Sequence, residues 1–333
     1  MDPVRWGILS TAKIGTDKVI PAIQKADSCA VTAIASRDLA RAKSAADKLG
    51  IPQAYGSYEE LLADPDIDVI YNPLPNHLHI PWSAKAAEAG KHVLCEKPLA
   101  LTADEARTLI DVRDRTGVLI QEAFMVRHHP QWRRAREIIR SSRIGPLHAV
   151  QACFTYNNPD PANIRNQADI GGGALYDIGS YAITAARFLF DSEPLQAVAM
   201  IDRDPTFATD RLTSALLRFP EGHAAFTCAT QTVRYQALIA LGTEGWLRLE
   251  LPFVMEPDRA CRLMIGDGTF PGALPSETEI FDPVDQYTVQ ADDFARAIRD
   301  GAALDYPLEN AVANMRVIDA VFRSAKTGGW EDV

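Results

Sequence analysis

The sequence contains no run of about 18 apolar residues of the kind a membrane span requires. It has no Gly/Ser-rich or Pro-rich tether, no internal repeat and no low-complexity tract. Cysteine is scarce. The five residues Cys29, Cys95, Cys153, Cys228 and Cys261 are odd in number, scattered, and never in a C-x-x-C pair. That pattern argues against a disulfide framework or a zinc ribbon and fits reduced thiols, so no metal is expected. Positive charge is in deficit, with 34 Lys and Arg against 44 Asp and Glu and a net charge of -10. Nucleic acid would be repelled, although a local basic patch can still hold one small anion. Met1-Asp2-Pro3 is acidic where a secretory leader would be basic and then apolar. A soluble cytoplasmic protein, with neither membrane nor nucleic acid as a partner, is the expectation.

The chain is long for one core. Its 333 residues, 47% of them apolar, suffice for two. Residues 4–9, 30–35, 69–72, 92–95 and 118–121 read as buried strands, alternating with helical stretches at 13–26, 39–49, 58–62, 81–89 and 103–116. A βαβα rhythm implies a parallel sheet covered by helices on both faces. Near residue 124 the texture changes to strands in direct succession, at 147–156, 195–201, 214–219, 223–232, 236–241 and 245–249. This predicts an antiparallel sheet. Two closing helices, 289–300 and 308–326, should pack on one face of it or against the first domain. The expected fold is α/β: a dinucleotide-binding Rossmann domain over residues 1–123, then an α+β domain over 124–333 with an open, mainly antiparallel sheet.

The first strand runs into Ser10-Thr11-Ala12-Lys13-Ile14-Gly15, where a dinucleotide fold carries G-x-G-x-x-G. The frame here is S-x-A-x-x-G, whose small residues still let backbone N–H groups and a helix start approach a pyrophosphate. An ordinary strand-turn-helix corner would read the same. The second strand ends at Ser36-Arg37-Asp38, with Arg37 lying 22 residues beyond Gly15. An arginine with a serine beside it suits a 2′-phosphate, whereas a carboxylate there would bind a free ribose hydroxyl; the pattern therefore favours NADP(H) over NAD. The plainer alternative for Arg37 is a solvated charge, and Asp38 also fits a helix N-cap.

Two further segments are rich in polar chemistry: Cys95-Glu96-Lys97-Pro98 at a strand's carboxyl end, and residues 171–181, G-G-G-A-L-Y-D-I-G-S-Y. Lys97 sits where doubly wound sheets bind ligands. Carbonyl reduction needs an acid near the oxygen, and a tyrosine serves once its pKa is lowered. Asp177 and Tyr181, four residues apart, share one helix face; a structural pairing of Asp177 and a half-buried Tyr181 is the alternative reading.

Together, W-G-I-L-S-T-A at 6–12, A-S-R-D at 35–38, P-L-P-N-H-L-H at 73–79, G-K-H-V-L-C-E-K-P at 90–98 and residues 171–181 resemble the glucose-fructose oxidoreductase / inositol dehydrogenase / MocA-like family over the whole chain. Within it, the closest likeness is to the NADP-dependent D-xylose dehydrogenase and dimeric trans-dihydrodiol dehydrogenase branch. The resemblance implies that Lys97 is the essential lysine, Tyr181 the proton donor and acceptor, and Asp177 a carboxylate that orients substrate. It further implies that Asn76, His79 and Glu96 line the nicotinamide side, that Leu74 and Pro75 wall the ribose, and that the protein is a homodimer acting on a small sugar or polyol.

Several alternatives stay open on the residues. His77 and His79 could form a metal pair, but an H-x-H loop with no third ligand nearby is more often a hydrogen-bonding one. Arg165 guards a cleft mouth, touching cofactor or substrate, or is a structural ion-pair partner. Phe154 and Tyr156 wall a substrate pocket or pack the sheet. The leading function is NADP(H)-dependent hydride transfer at an aldose anomeric carbon or another alcohol or ketone carbon. Others are a trans-dihydrodiol dehydrogenase, an aldose-aldose oxidoreductase that retains its cofactor, and a non-catalytic NADP-sensing regulator.

Overall fold

The fold was taken from a computed structural model that describes residues 2–269 and 274–333. The chain divides into two compact units, Met1–Met125 with Gln286–Val312, and Val126–Asp285 with Ala313–Val333. The later part of the chain therefore contributes 27 residues to the unit built from its beginning.

The first unit is a six-stranded, all-parallel sheet made of β1 (Val4–Leu9), β2 (Cys29–Ala35), β3 (Gln53–Tyr55), β4 (Val69–Asn72), β5 (His92–Glu96) and β6 (Ile120–Ala123). Its order is β3-β2-β1-β4-β5-β6, so the strand order reverses between β1 and β4, where doubly wound folds place their ligand. The strands read as continuous apolar runs because both faces are covered. Trp6, Ile8, Ile34, Val69 and Tyr71 are fully buried. The expected helix over 13–26 has a π turn, Gly15–Val19, before α1 (Ile20–Ile23). Helix α2 (Leu39–Leu49) is capped by Asp38, and α3 (Tyr58–Ala63) by Ser57. Helices α4 (His79–Glu88) and α5 (Ala103–Thr116) follow, the latter ending on Gly117 in the left-handed region. The returning helix Gln286–Asp300 packs Phe294 against Trp6, with ring centroids 6.0 Å apart.

The second unit carries a sheet of nine strands among the described residues. They are β7 (Leu147–Asn157), β8 (Gln196–Arg203), β9 (Asp210–Arg218), β10 (His223–Ala229), β11 (Gln231–Gly242), β12 (Trp246–Leu249), β13 (Cys261–Gly266), β14 (Glu277–Phe281) and β15 (Glu331–Asp332). The order is β14-β13-β12-β11-β7-β10-β9-β8-β15. All its pairings are antiparallel except β7 with β10, which run parallel, so β7 joins two antiparallel blocks. Helices α6 (Pro130–Arg140) and α7 (Ser180–Phe190) cover one face. The other face shows Met200, Leu216 and Tyr235 to solvent. No described helix is long and apolar enough to cross a membrane.

Candidate active site

In the first unit the polar residues gather at the carboxyl ends of the parallel strands. Just past the end of β1, Ser10 adopts a left-handed backbone with φ 73° where the usual fingerprint has glycine. Two contacts hold it there: its N–H donates to the Ala35 carbonyl at 2.9 Å, and its Oγ accepts from the Ala12 N–H at 3.2 Å. The helix starts at Lys13, so the loop of Ser10, Thr11, Ala12 and Ile14 presents backbone amides at a positive helix end. At the tip of β2, Ser36 is buried and its Oγ accepts the Asp38 N–H at 3.2 Å. Asp38 accepts from the amides of Ala40 and Arg41, which makes it the α2 cap rather than a ribose acceptor. Arg37 is exposed beside the Tyr58 hydroxyl, whose pKa burial raises and Arg37 partly lowers again. Amides, hydroxyls and an arginine, with the neighbouring carboxylate spent on a cap, form a donor set that fits a dinucleotide bearing a 2′-phosphate.

The loops after β4 and β5 are tied together from within. Asn72, fully buried, donates to the His79 carbonyl and Ser83 Oγ, each at 3.1 Å, and accepts from the Leu74 N–H at 3.3 Å. His79 revises an expectation. Its ring is buried, with Nδ1 2.8 Å from the Pro98 carbonyl and Nε2 2.6 Å from the Leu74 carbonyl. Both ring nitrogens therefore face backbone, so His79 braces the two loops, neither lining a nicotinamide with its ring nor serving as half of a metal pair with His77. Two carbonyls favour the imidazolium, but desolvation wins and lowers the pKa to about 4. A neutral ring donates to only one of the carbonyls. Leu74 is buried, while Pro75 and Asn76 are half-buried. Glu96 Oε1 accepts from the buried Tyr71 hydroxyl at 2.7 Å, and this contact anchors the strand end that carries Lys97. Lys97 is half-buried, and the Glu122 carboxylate accepts the Leu99 N–H just beyond it at 2.9 Å.

In the second unit the glycine run does what its composition suggested. Gly171 and Gly173 lie at φ 86° and 123°. A Cβ on Gly172 would meet the Arg165 carbonyl at 2.7 Å, and one on Gly173 would meet Asp210 Oδ1 at 1.9 Å. Gly173 N–H donates to the Arg165 carbonyl at 2.8 Å. Asp210 accepts from the Leu175 amide at 2.6 Å and from the Thr213 hydroxyl at 3.2 Å, so it caps the turn Leu175–Gly179 that carries Asp177; burial lifts its pKa to about 6.

Asp177 is engaged. Its Oδ2 accepts from Arg165 Nε at 2.8 Å and from the Tyr156 hydroxyl at 2.6 Å. Arg165 is thus an ion-pair partner of Asp177, and Tyr156 has a polar contact beyond the pocket-wall and packing roles its sequence offered. Burial first, then the Asp177 charge, pushes the Tyr156 phenol far up, so it stays protonated and a donor. The Asp177 charge likewise raises the Arg165 guanidinium, which also senses the Tyr181 hydroxyl. Tyr181, in the first turn of α7, is buried against Phe154 and Phe253 at centroid distances of 5.7 and 5.8 Å. Phe154 stacks on Phe253 at 5.1 Å, so it packs the cluster that seats Tyr181. Sequence patterns missed Asn72, Tyr156 and Asp210 as supports: each is a single polar residue in or beside a strand, with no spacing signal.

Comparison with known proteins follows the same lines. Residues 4–124 match the family described as "Oxidoreductase family, NAD-binding Rossmann fold" (GFO_IDH_MocA), and residues 132–248 match the "GFO/IDH/MocA C-terminal domain". An uncharacterised oxidoreductase of Rhizobium meliloti is 50% identical over 334 residues, covering 100% of both chains. D-xylose 1-dehydrogenase (NADP(+)) 2 of Haloferax volcanii is 42% identical, covering 97% of this chain and 98% of its own. Among solved structures, the 3-ketoreductase KijD10 of Actinomadura kijaniata, in complex with NADP and TDP-benzene, superposes with a TM-score of 0.90 at 31% identity, over 97% of this chain and 98% of that one.

Proposed function

The chain belongs to the GFO/IDH/MocA oxidoreductase family, and from that premise we propose that it is an NADP(H)-dependent dehydrogenase or reductase acting on a CH–OH carbon of a sugar or related polyol. The observation that carries the proposal is the strand tip at Ser36 and Arg37, where Asp38 is turned away into a helix cap. The relatives' names agree with it: one solved neighbour was crystallised with NADP, and one relative is an NADP(+)-dependent D-xylose dehydrogenase.

When bound, the dinucleotide supplies the site that takes or gives a hydride. Ser10, Thr11, Ala12, Lys13 and Ile14 would hold its pyrophosphate, Ser36 and Arg37 its 2′-phosphate, and Leu74, Pro75, Asn76 and Glu96 its ribose and nicotinamide end. Tyr181 moves the proton at its hydroxyl oxygen. Tyr156 and Tyr181 are not interchangeable, since Tyr156 is pinned as a phenol by Asp177. Lys97 is assigned the ammonium that favours the phenolate form of the acid/base, and Asp177 orients the substrate. Screening sugars and vicinal diols for NADPH formation tests the function. Turnover with NADP+ and little with NAD+ is expected, and a chain that binds NADPH yet turns over nothing in the panel would refute the enzymatic reading in favour of a cofactor sensor.

The assembly we propose is a homodimer through the open sheet face. Met200, Tyr235 and Leu216 are 80%, 56% and 46% exposed there, and a partner's matching face would cover them.

A further inference from the structure

We infer that Tyr156 and Arg165 are positioning residues that lock Asp177 as the acceptor for a second substrate hydroxyl, so that the enzyme selects substrates hydroxylated on the carbon next to the reacting one. This rests on the oxidoreductase function proposed above. Two donors from separate elements converge on one oxygen, Asp177 Oδ2: the Tyr156 hydroxyl from the end of β7 at 2.6 Å and Arg165 Nε from the turn Ile164–Asn166 at 2.8 Å.

The surrounding backbone is shaped to deliver that arginine. Asn163 Oδ1 accepts the Arg165 N–H at 3.1 Å, the Gly173 N–H holds its carbonyl, and Gly172 and Gly173 leave no room for a Cβ. Asn166, buried, donates to the carbonyls of Asn158 and Asp160 at 2.9 and 2.8 Å, closing the loop on itself. A plain surface ion pair needs none of this, and would contribute little.

The clamp has a chemical consequence. Arg165 offsets the Asp177 charge, so a carboxylate can stand one helical turn from Tyr181 without opposing loss of the phenolic proton. With both donors on Oδ2, the orientation of the whole carboxylate is fixed relative to Tyr181. A ligand that satisfies the pair brings its reacting hydroxyl to Tyr181 and a neighbouring hydroxyl to Asp177. An analogue lacking the second hydroxyl forfeits its own hydrogen bond to that carboxylate, and a site built to bond a substrate hydroxyl disfavours the compound without it.

The test compares the best aldose of the screening panel with its 2-deoxy analogue in wild type, Tyr156→Phe and Arg165→Met. Wild type should favour the 2-hydroxy substrate in kcat/KM by about 100-fold or more. Tyr156→Phe should lose about tenfold of that ratio, all of it on the 2-hydroxy substrate, with kcat/KM for the deoxy analogue within about threefold; Arg165→Met, which also removes the charge offset, should slow both substrates, the 2-hydroxy one about tenfold more. Thermal melts accompany the kinetics; if Arg165→Met melts early, Tyr156→Phe, which keeps its ring, decides the matter. A wild type that does not discriminate, or variants that lose both substrates equally, would overturn the clamp while leaving the function intact. A wild type that binds NADPH but turns over no sugar or diol would overturn the function itself.

Discussion

Replacing Arg37 should change cofactor choice without changing the fold. Its side chain is exposed at the tip of β2, where it meets the hydroxyl end of Tyr58, and the α2 cap belongs to Asp38. A hydrogen bond to a charged group contributes about 1.5–3 kcal/mol. Arg37→Ala should therefore weaken NADPH binding roughly 10- to 150-fold, while NADH binding, which has no phosphate there, changes by less than about threefold. Because the contact is open to solvent, raising ionic strength to about 1 M should narrow the gap for wild type and leave the variant nearly unaffected. The assay is a titration of reduced-nicotinamide fluorescence with each dinucleotide at low and high salt. Equal losses for the two dinucleotides, or none for NADPH, would refute the assignment of Arg37 to the 2′-phosphate.

Further outcomes follow from the supports. His79 has a folded pKa of about 4 against 6.5, so the unfolded chain takes up a proton first as pH falls. Its contribution is present above pH 6.5 and is lost on descending to about 4, worth about 3 kcal/mol in all. Melting midpoints measured across that range should fall for wild type and fall less for His79→Gln. Gly173→Ala meets Asp210 Oδ1 and an unfavourable φ, so it should cost about 2–6 kcal/mol in a denaturant or thermal melt. Gly15→Ala, where the nearest side-chain atom is 3.6 Å away, should be within about 1 kcal/mol of wild type in the same melt. On the open sheet face, Met200→Asp combined with Leu216→Asp should halve the mass seen by light scattering; an unchanged mass would place the dimer elsewhere or make the wild type a monomer.

Where each polar or apolar pattern repeats, the sequence disclosed the structure. Strands 4–9 and 69–72 and helices 39–49 and 103–116 have the bounds their patterns predict, because both faces of the parallel sheet are buried and the helix ends carry caps at Asp38, Thr102, Gly50 and Gly117. The three-residue edge strand β3 is too short to show a period. Helix α6 buries Trp132, Ala135 and Ile138 on a narrow stripe among its arginines, so it reads as a charged connector. Strands β13 and β14 also went unread, and the parallel pairing of β7 with β10 depends on contacts between segments some 75 residues apart.

The site divides in the same way. Arg37, Lys97, Asp177 and Tyr181 stand in strings whose spacing carries meaning, and Asp38 as a helix cap was legible from its position. What holds them was hidden. Asn72 straps His79, Asp210 caps the turn of Asp177, and Tyr156 donates to Asp177 across 21 residues of chain; each of these is a tertiary contact of one polar residue. That His79 is buried between two carbonyls and that Arg165 pairs with Asp177 are likewise tertiary facts which spacing does not carry.

The most direct test is the turnover of Tyr181→Phe on the best substrate of the panel, at saturating NADP+ and with NADPH affinity measured on the same preparation. Loss of the hydroxyl removes the group assigned to the proton while the ring keeps its place against Phe154 and Phe253. A fall in kcat of about 100-fold or more, with NADPH binding within threefold of wild type, is the predicted result. A variant that turns over at near the wild-type rate would contradict the account.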